Sequence, residues 1–93
     1  MPNTRLEEQL RTRARERILA GQLTCGDPIH VWGGYGSDLT CSLCDQIIGR
    51  TDVEYEVEHQ IGQAVHHYRF HFLCHAAWQL ECAREASSKS ITP

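Results

Sequence analysis

Two stretches near the middle of the chain alternate between apolar and polar residues, with the two-residue period of a β-strand. Residues 53–58 alternate valine or tyrosine with glutamate, and in residues 65–72 aromatic side chains alternate with histidine and arginine. The aromatic side chains expected to face inward are those of Tyr68, Phe70 and Phe72. The intervening residues 59–64 include Gly62 and predict a hairpin loop. The glutamates are therefore expected to face the histidines and the arginine across the hairpin.

An amphipathic helix is predicted at the start of the chain, over residues 4–20. Thr4 and Glu7 have the spacing of a capping box, and Gly21 provides a helix stop. Apolar residues recur every four positions along one side of this helix, at Leu6, Leu10, Ala14 and Ile18. Such a stripe either docks the helix on the rest of the chain or joins two copies in a homodimer.

A second helix is predicted over residues 73–86, and the polar residues 87–93 are expected to form a frayed tail. Residues 22–40 contain glycine too often for a long regular element, so they are interpreted as an irregular connecting loop. Val31 and Trp32 interrupt the polar character of this loop. They are expected to form a short strand or an anchor on the core.

Composition and charge limit the class of protein. A length of 93 residues suits one domain, and no apolar run is long enough to span a membrane. The first residues are charged where a signal peptide is apolar, which predicts a cytoplasmic protein. The net charge is −3, but five arginines against three glutamates give residues 1–20 a charge of +2. If the chain binds an anion electrostatically, the expected place is therefore the N-terminal helix.

The cysteines and histidines indicate metal chemistry. An odd count of five cysteines, without a signal peptide, argues against a disulfide framework. Cys41 and Cys44 are separated by two residues, and after 26 further residues His71 and Cys74 have the same separation. Two such pairs supply the four ligands that zinc prefers in structural sites. His75 is the alternative fourth ligand, but on a helix it points about 100° away from its neighbour, Cys74.

The knuckle, a tight turn expected over residues 41–44, is followed by the predicted hairpin and by a helix that begins beside the metal. This order of elements resembles the treble-clef zinc fingers. The ligand spacing is similar to the first zinc module of LIM domains. The chain also resembles a group of small uncharacterised bacterial zinc-binding proteins. The shared motifs are Val-Trp-Gly-Gly, Cys-x2-Cys, Glu-Tyr-Glu-Val and Phe-His-x2-Cys, here residues 31–34, 41–44, 54–57 and 70–74. The resemblance implies a small α+β zinc-stabilised domain, a treble clef preceded by an N-terminal helix, with one zinc per chain.

These patterns divide the chain into four parts. Residues 1–21 are the N-terminal Arg-rich helix, 22–40 the Gly-rich connecting loop, 41–86 the treble-clef zinc domain and 87–93 a flexible tail. The remaining cysteines and most of the remaining histidines have no role that the sequence assigns: Cys25, His30, His66, His67 and Cys82.

Some of these residues have simple interpretations. Cys82 lies two helical turns beyond Cys74 and is interpreted as a small core residue. His66 and His67 are expected to lie beside carboxylates. A second metal site that combines Cys25 and His30 with surface histidines is the alternative.

Binding is favoured over catalysis, because four protein ligands close the coordination sphere of a metal and no poised acid–base pair is visible. The chain is therefore not expected to be an enzyme. The preferred function is a zinc-binding interaction or regulatory module with a protein partner. The candidate contact surfaces are the loop of residues 32–36, with Trp32 and Tyr35, the strand face of Glu54, Glu56 and Glu58, and the N-terminal helix.

Two alternatives remain open at this stage. The first is a nucleic-acid-binding regulator that uses the arginines of the first helix, Arg11, Arg13, Arg15 and Arg17. The second is a thiol-redox or metal-dependent enzyme built on Cys41 and Cys44.

Overall fold

Two helices and five strands follow one another in a computed structural model that describes residues 4–25 and 28–91. They are α1 (Thr4–Leu19), β1 (His30–Tyr35), β2 (Leu39–Thr40), β3 (Ile47–Ile48), β4 (Val53–Ile61), β5 (Ala64–His71) and α2 (Phe72–Ile91). At Thr4 and in residues 87–91 only the backbone is described. The predicted capping box cannot be compared at Thr4, because that side chain lies outside the described residues. The same is true of residues 1–3 in the predicted N-terminal segment and residues 92–93 in the predicted tail.

The predicted hairpin is confirmed as the antiparallel pair β4–β5. Glu56 lies opposite Arg69 and Glu58 opposite His67, in the register that the alternating pattern predicts. The Arg69 guanidinium is 3.7 Å from the Glu56 carboxylate, and the His67 imidazole is 3.8 Å from that of Glu58. Cross-strand pairs of this kind each contribute a few tenths to about 1 kcal/mol.

The predicted hairpin loop over residues 59–64 is wrong. The strands continue to Ile61 and resume at Ala64, so the turn between them has two residues. Gly62 has a φ of +60°, which a two-residue turn requires and which glycine adopts without steric cost.

The glycine-rich connection contains a strand of six residues instead of a mainly irregular loop. β1 pairs antiparallel with β4, placing Trp32 opposite Glu56, and so forms a three-stranded sheet in the order β1-β4-β5. Val31, Trp32 and Tyr35 suit an extended backbone, but two glycines between them weaken the local signal. Pairing with β4, which is distant in sequence, determines the structure here.

β2 and β3 form a separate two-stranded sheet that carries the first cysteine pair in its loop. The chain enters this sheet through Gly36, where a Cβ would overlap the backbone carbonyl of Gly49. Only glycine permits this close approach of two backbone segments.

The core lies between the helices and one face of the three-stranded sheet. Leu10 and Ala14 of the predicted apolar stripe are buried in it, together with Phe70 and Trp78. The stripe therefore docks α1 on its own chain, mainly against α2. Among the described residues, no helix is both long enough and apolar enough to cross a membrane.

One aromatic residue departs from its predicted face. Tyr68 and Phe70 are buried as expected, but Phe72 is exposed. β5 ends at His71, so Phe72 begins α2 and no longer follows the alternation of the strand. The helix also continues to Ile91, beyond the predicted end of regular structure.

Cys82 packs against the core as predicted, but the odd number of cysteines argued against disulfides, and that expectation is wrong because Cys82 is bonded to Cys25. The bond joins α2 to the segment that follows α1. Next to it, the Trp78 indole donates to the Thr24 carbonyl at 3.2 Å, and the Thr24 hydroxyl lies 3.0 Å from the Tyr68 hydroxyl. The segment after α1 is thus fixed to the core by covalent and polar contacts.

A buried carboxylate completes the contact between the helices. Glu81 of α2 accepts hydrogen bonds from Arg11 at 2.8 Å and Arg15 at 2.9 Å, both on α1. Burial by itself would raise the pKa of Glu81, but the two guanidinium groups together outweigh it and hold the pKa below its usual range.

We predict that Glu81→Gln lowers the free energy of unfolding by about 1–2 kcal/mol, because the charge-assisted bonds to both arginines are weakened. Glu85→Gln, one turn further along α2, is the control and should cost less than about 0.5 kcal/mol. Urea unfolding of the metal-loaded protein measures both.

The effect of pH on this difference has a definite sign. Because the folded-state pKa is lowered, the stabilisation is complete above the ordinary glutamate pKa of about 4.3 and is lost only as pH falls through the lower folded value. The difference between wild type and Glu81→Gln should therefore stay constant from about pH 8 to pH 5. A difference that shrinks between about pH 8 and pH 6 would contradict this assignment.

Candidate metal centre

The loop between β2 and β3 turns tightly and presents two thiols on the same side. The Asp45 amide donates to the Cys41 carbonyl at 3.1 Å, and the Cys41 amide donates to the Gln46 carbonyl at 2.8 Å. Asp45, directly after Cys44, has a φ of +65°, a conformation that aspartate tolerates better than most residues. This local geometry brings Cys41 and Cys44 together as their spacing predicts.

The second pair of ligands lies where β5 passes into α2. His71 is the last residue of the strand, and Cys74 lies in the first turn of the helix. The His71 Nδ1 atom is 3.4 Å from the Cys44 sulfur and 3.9 Å from the Cys74 sulfur. One ligand atom from each of Cys41, Cys44, His71 and Cys74 lies within 4.8 Å of the other three.

These separations match the dimensions of a tetrahedral metal site. Zinc bonds of about 2.3 Å to sulfur and about 2.0 Å to nitrogen place tetrahedral ligand atoms roughly 3.5–3.8 Å apart. The two measured nitrogen–sulfur separations, 3.4 and 3.9 Å, lie on either side of that range. The Cys3His group can therefore hold a metal ion with only small side-chain movements.

The histidine is oriented by a second contact. Its Nε2 atom lies 3.1 Å from the Ile47 carbonyl of β3, a distance at which an Nε2–H group donates a hydrogen bond. This tautomer leaves the lone pair of Nδ1 directed at the sulfurs. Metal-binding histidines commonly have their second nitrogen held in this way.

The knuckle is also fixed to the neighbouring strand. The Ser42 amide donates to the Arg69 carbonyl at 2.6 Å, and the Arg69 amide donates to the Ser42 hydroxyl at 3.0 Å. Ser42 therefore occupies the outer edge of β5 two residues before His71, which sets the separation of the two ligand pairs.

Without a cation, the three thiols perturb one another. The pKa of Cys41 lies far below its usual range, chiefly because the Cys74 thiol donates a hydrogen bond to it. The pKa of Cys44 is raised, mainly by burial, and that of Cys74 is raised by its bond to Cys41 and by burial. The cluster thus favours one thiolate beside two thiols, and a divalent cation would remove the obstacle to ionising all three.

His75, the alternative ligand, lies outside the Cys3His group. Its ring stacks on Tyr55 with centroids 4.6 Å apart, and burial lowers its pKa. Its buried Nε2 atom has no hydrogen-bond partner among the described residues. The structure therefore places this histidine among the core aromatic residues.

The arginines of α1 contact the same chain. Arg13 and Arg17 donate through Nε to the Leu43 carbonyl, at 2.7 and 2.9 Å, and both also bond the Asp45 carboxylate. Hydrogen bonds from Arg13, followed by the charge of Arg17, hold the pKa of Asp45 below its usual range. The guanidinium groups of Arg13 and Arg17 thus hold the backbone of the knuckle.

The sequence contained a signal for these contacts that its interpretation missed. The four arginines form two pairs four residues apart, which places each pair on one side of a helix. Arg11 and Arg15 contact Glu81 on α2, whereas Arg13 and Arg17 contact the knuckle. The spacing of four residues indicated that the two arginines of each pair share one partner. It could not identify the partners, because they are distant in sequence.

The other candidate residues lie away from the cluster. Trp32 and Tyr35 are exposed on β1. His30 stacks on Trp32 with centroids 5.1 Å apart and lies 3.3 Å from the Glu58 carboxylate. The disulfide takes Cys25 out of the second metal site considered from the sequence.

Comparisons with protein-family models, with curated proteins and with solved structures give no match to this chain. The chemistry of the cluster follows from its own donor atoms. Three soft thiolates and one borderline imidazole form a set that suits zinc and iron rather than magnesium or calcium.

We predict that Arg17→Gln accelerates metal loss to a competing chelator by about tenfold, as is typical when a group that supports the ligands is removed. The lost bonds to the Leu43 carbonyl and to Asp45 free the knuckle to open. Arg50→Gln is the matched control, because Arg50 also pairs with an aspartate, Asp38, but at an exposed site away from the cluster. Equal rates of metal loss from the two variants would show that the contacts of Arg17 do not support the site.

Proposed function

We propose that the chain binds one zinc ion through Cys41, Cys44, His71 and Cys74, as a structural site of the treble-clef type. The observation that carries the proposal is the convergence of these four ligand atoms within 4.8 Å, from two segments far apart in sequence. The order of knuckle, hairpin and helix supports the treble-clef assignment.

The ligand set favours a structural role for the metal. Four protein donors complete the tetrahedral coordination that structural zinc adopts, whereas catalytic zinc keeps one position for water or substrate. The surroundings support the same assignment, since Cys41 and Cys74 are buried against the core. We therefore propose a binding protein and not an enzyme.

Zinc is proposed because Cys3His is one of the sets of four protein ligands that bind structural zinc. The contact between the outer nitrogen of His71 and a backbone carbonyl is the usual support of a metal-bound imidazole. A small core gains most from such an ion, because the binding free energy of structural zinc, about 10–16 kcal/mol, is available only to the folded chain.

The folded module is proposed to act by binding another protein. Val31, Trp32 and Tyr35 form an exposed apolar group on β1, and a second exposed group, Leu6, Val53, Phe72 and Leu73, borders the Cys3His group. The alternative of nucleic-acid binding through α1 has less support, because Arg11, Arg13, Arg15 and Arg17 all bond carboxylates of the same chain.

Native mass spectrometry of the purified protein, before and after incubation with a chelator, tests the metal proposal. We expect one zinc per chain. His71→Asn should lose its metal at a chelator concentration at least about 100-fold lower than wild type. Removing a ligand is expected to weaken metal binding more than removing a group that only supports a ligand, which typically costs about 10–100-fold. His67→Asn, on the same face of β5, is the matched control and should behave as wild type. No metal on a folded wild-type chain, or equal retention by the two variants, would overturn the site.

Folding should depend on the ion. We predict that Cys74→Ser abolishes the cooperative thermal transition, because one thiolate ligand and the zinc-linked folding free energy are lost together. The transition is followed by circular dichroism, and His67→Asn, which leaves the four ligands and the disulfide intact, is the control that should keep its transition. A cooperative transition retained by Cys74→Ser would show that the ion is not structural.

A further inference from the structure

The outer edge of β1 offers a row of backbone groups without partners among the described residues. The Gly36 amide donates to the Asp52 carbonyl at 2.9 Å, which fixes the phase of the β1–β4 ladder. Antiparallel ladders alternate, so Trp32 and Gly34 direct their amides and carbonyls toward β4. Three intervening residues direct theirs outward: Val31, Gly33 and Tyr35.

The two edges of the sheet differ. The outer edge of β5 is covered at Arg69 by Ser42 of the knuckle. β1 is the last strand in the order of the sheet on the other side, and its side chains are exposed along the whole strand. The exposed fractions reach 47% at Trp32 and 80% at Tyr35.

This edge also lacks the usual protection against pairing. Exposed edge strands commonly carry lysine or another charge, or an internal proline, which prevent a further strand from joining. Residues 29–37 contain no lysine, arginine, aspartate, glutamate or proline. A six-residue strand with aromatic side chains, whose outward backbone groups no described residue pairs, is instead a template for strand addition.

The sequence of β1 is complementary to itself. If two copies pair antiparallel around Gly33, the outward backbone groups of Val31 in one copy meet those of Tyr35 in the other. In the same register Trp32 lies across from Gly34 of the second copy, where the absence of a side chain leaves room for the indole. Tyr35 thus faces Val31, Trp32 faces Gly34 and the two Gly33 residues face each other, without a lysine, arginine, aspartate or glutamate among them.

We propose that β1 pairs with β1 of a second copy of this chain, joining two three-stranded sheets into one sheet of six strands. Any extended peptide can form backbone bonds with this edge, but the placement of Trp32 and Gly34 on either side of Gly33 fits the strand's own sequence. The inference rests on the proposed function only in that a folded, metal-loaded module presents the strand. It differs from pairing through α1, whose Leu10 and Ala14 are buried within the chain.

The test is native mass spectrometry and light scattering of the metal-loaded protein over a series of concentrations. We expect a dimer that dissociates on dilution. Val31→Lys should raise the dissociation constant about tenfold or more, because each copy loses an apolar cross-strand pair and gains a charge. Val65→Lys is the matched control, since Val65 is exposed to 49% on β5 and Val31 to 43% on β1. Its dissociation constant should match that of wild type.

Amide hydrogen exchange identifies which edge is used. At dimer concentrations the amides of Val31, Gly33 and Tyr35 should be protected, and on dilution they should exchange freely. The amides of Trp32 and Gly34 bond to β4 and should stay protected throughout. A dimer whose outward amides remain unprotected, or one that Val31→Lys does not weaken, would overturn the proposal.

A chain that remains monomeric at all concentrations would overturn it as well. If a monomer captures a different extended peptide with the same protection pattern, the edge belongs to another protein and self-pairing is wrong. The spectra count metal ions and chains together, so a monomer with one zinc rejects only the strand pairing. A dimer without metal rejects only the zinc site.

Discussion

The central constraint on the arrangement of this chain is the placement of three thiols and one imidazole within 4.8 Å of one another. Such a group is unfavourable without a cation, because only one of the thiols ionises readily beside the others. A divalent ion bound at this point would be coordinated by all four groups, and the close approach would then be favourable. Two short sheets and the start of α2 converge on this point, and the small core is built outward from it.

The helix α1 connects this centre to the rest of the chain. One arginine pair grips the knuckle at Leu43 and Asp45, and the other holds Glu81 of α2. Most of these guanidinium groups are partly exposed, so each bond is modest, but Leu10 and Ala14 bury the same helix in the core. The arginines that suggested a surface for anions thus bind groups of the same chain and join α1 to α2 and to the knuckle.

The sequence predicted the parts of the structure that are local. The spacing of Cys41 and Cys44, the alternation along β4 and β5, and the apolar stripe of α1 each describe one segment and its neighbours. The β1–β4 pairing, the Cys25–Cys82 disulfide and the arginine partners each join segments far apart in the chain. Local periodicity carries no information about such partners, and the glycines of β1 weakened even its local signal.

The metal centre and the open edge of the sheet are two consequences of one arrangement. To bring Cys41 and Cys44 to His71, the knuckle must lie along β5, and Ser42 then takes up the backbone groups of Arg69 at that edge. The same placement leaves β1, at the opposite side of the sheet, without a covering element among the described residues. A small sheet with one edge occupied by the knuckle has one edge left open, so the position of the Cys3His group also determines which strand is available for association.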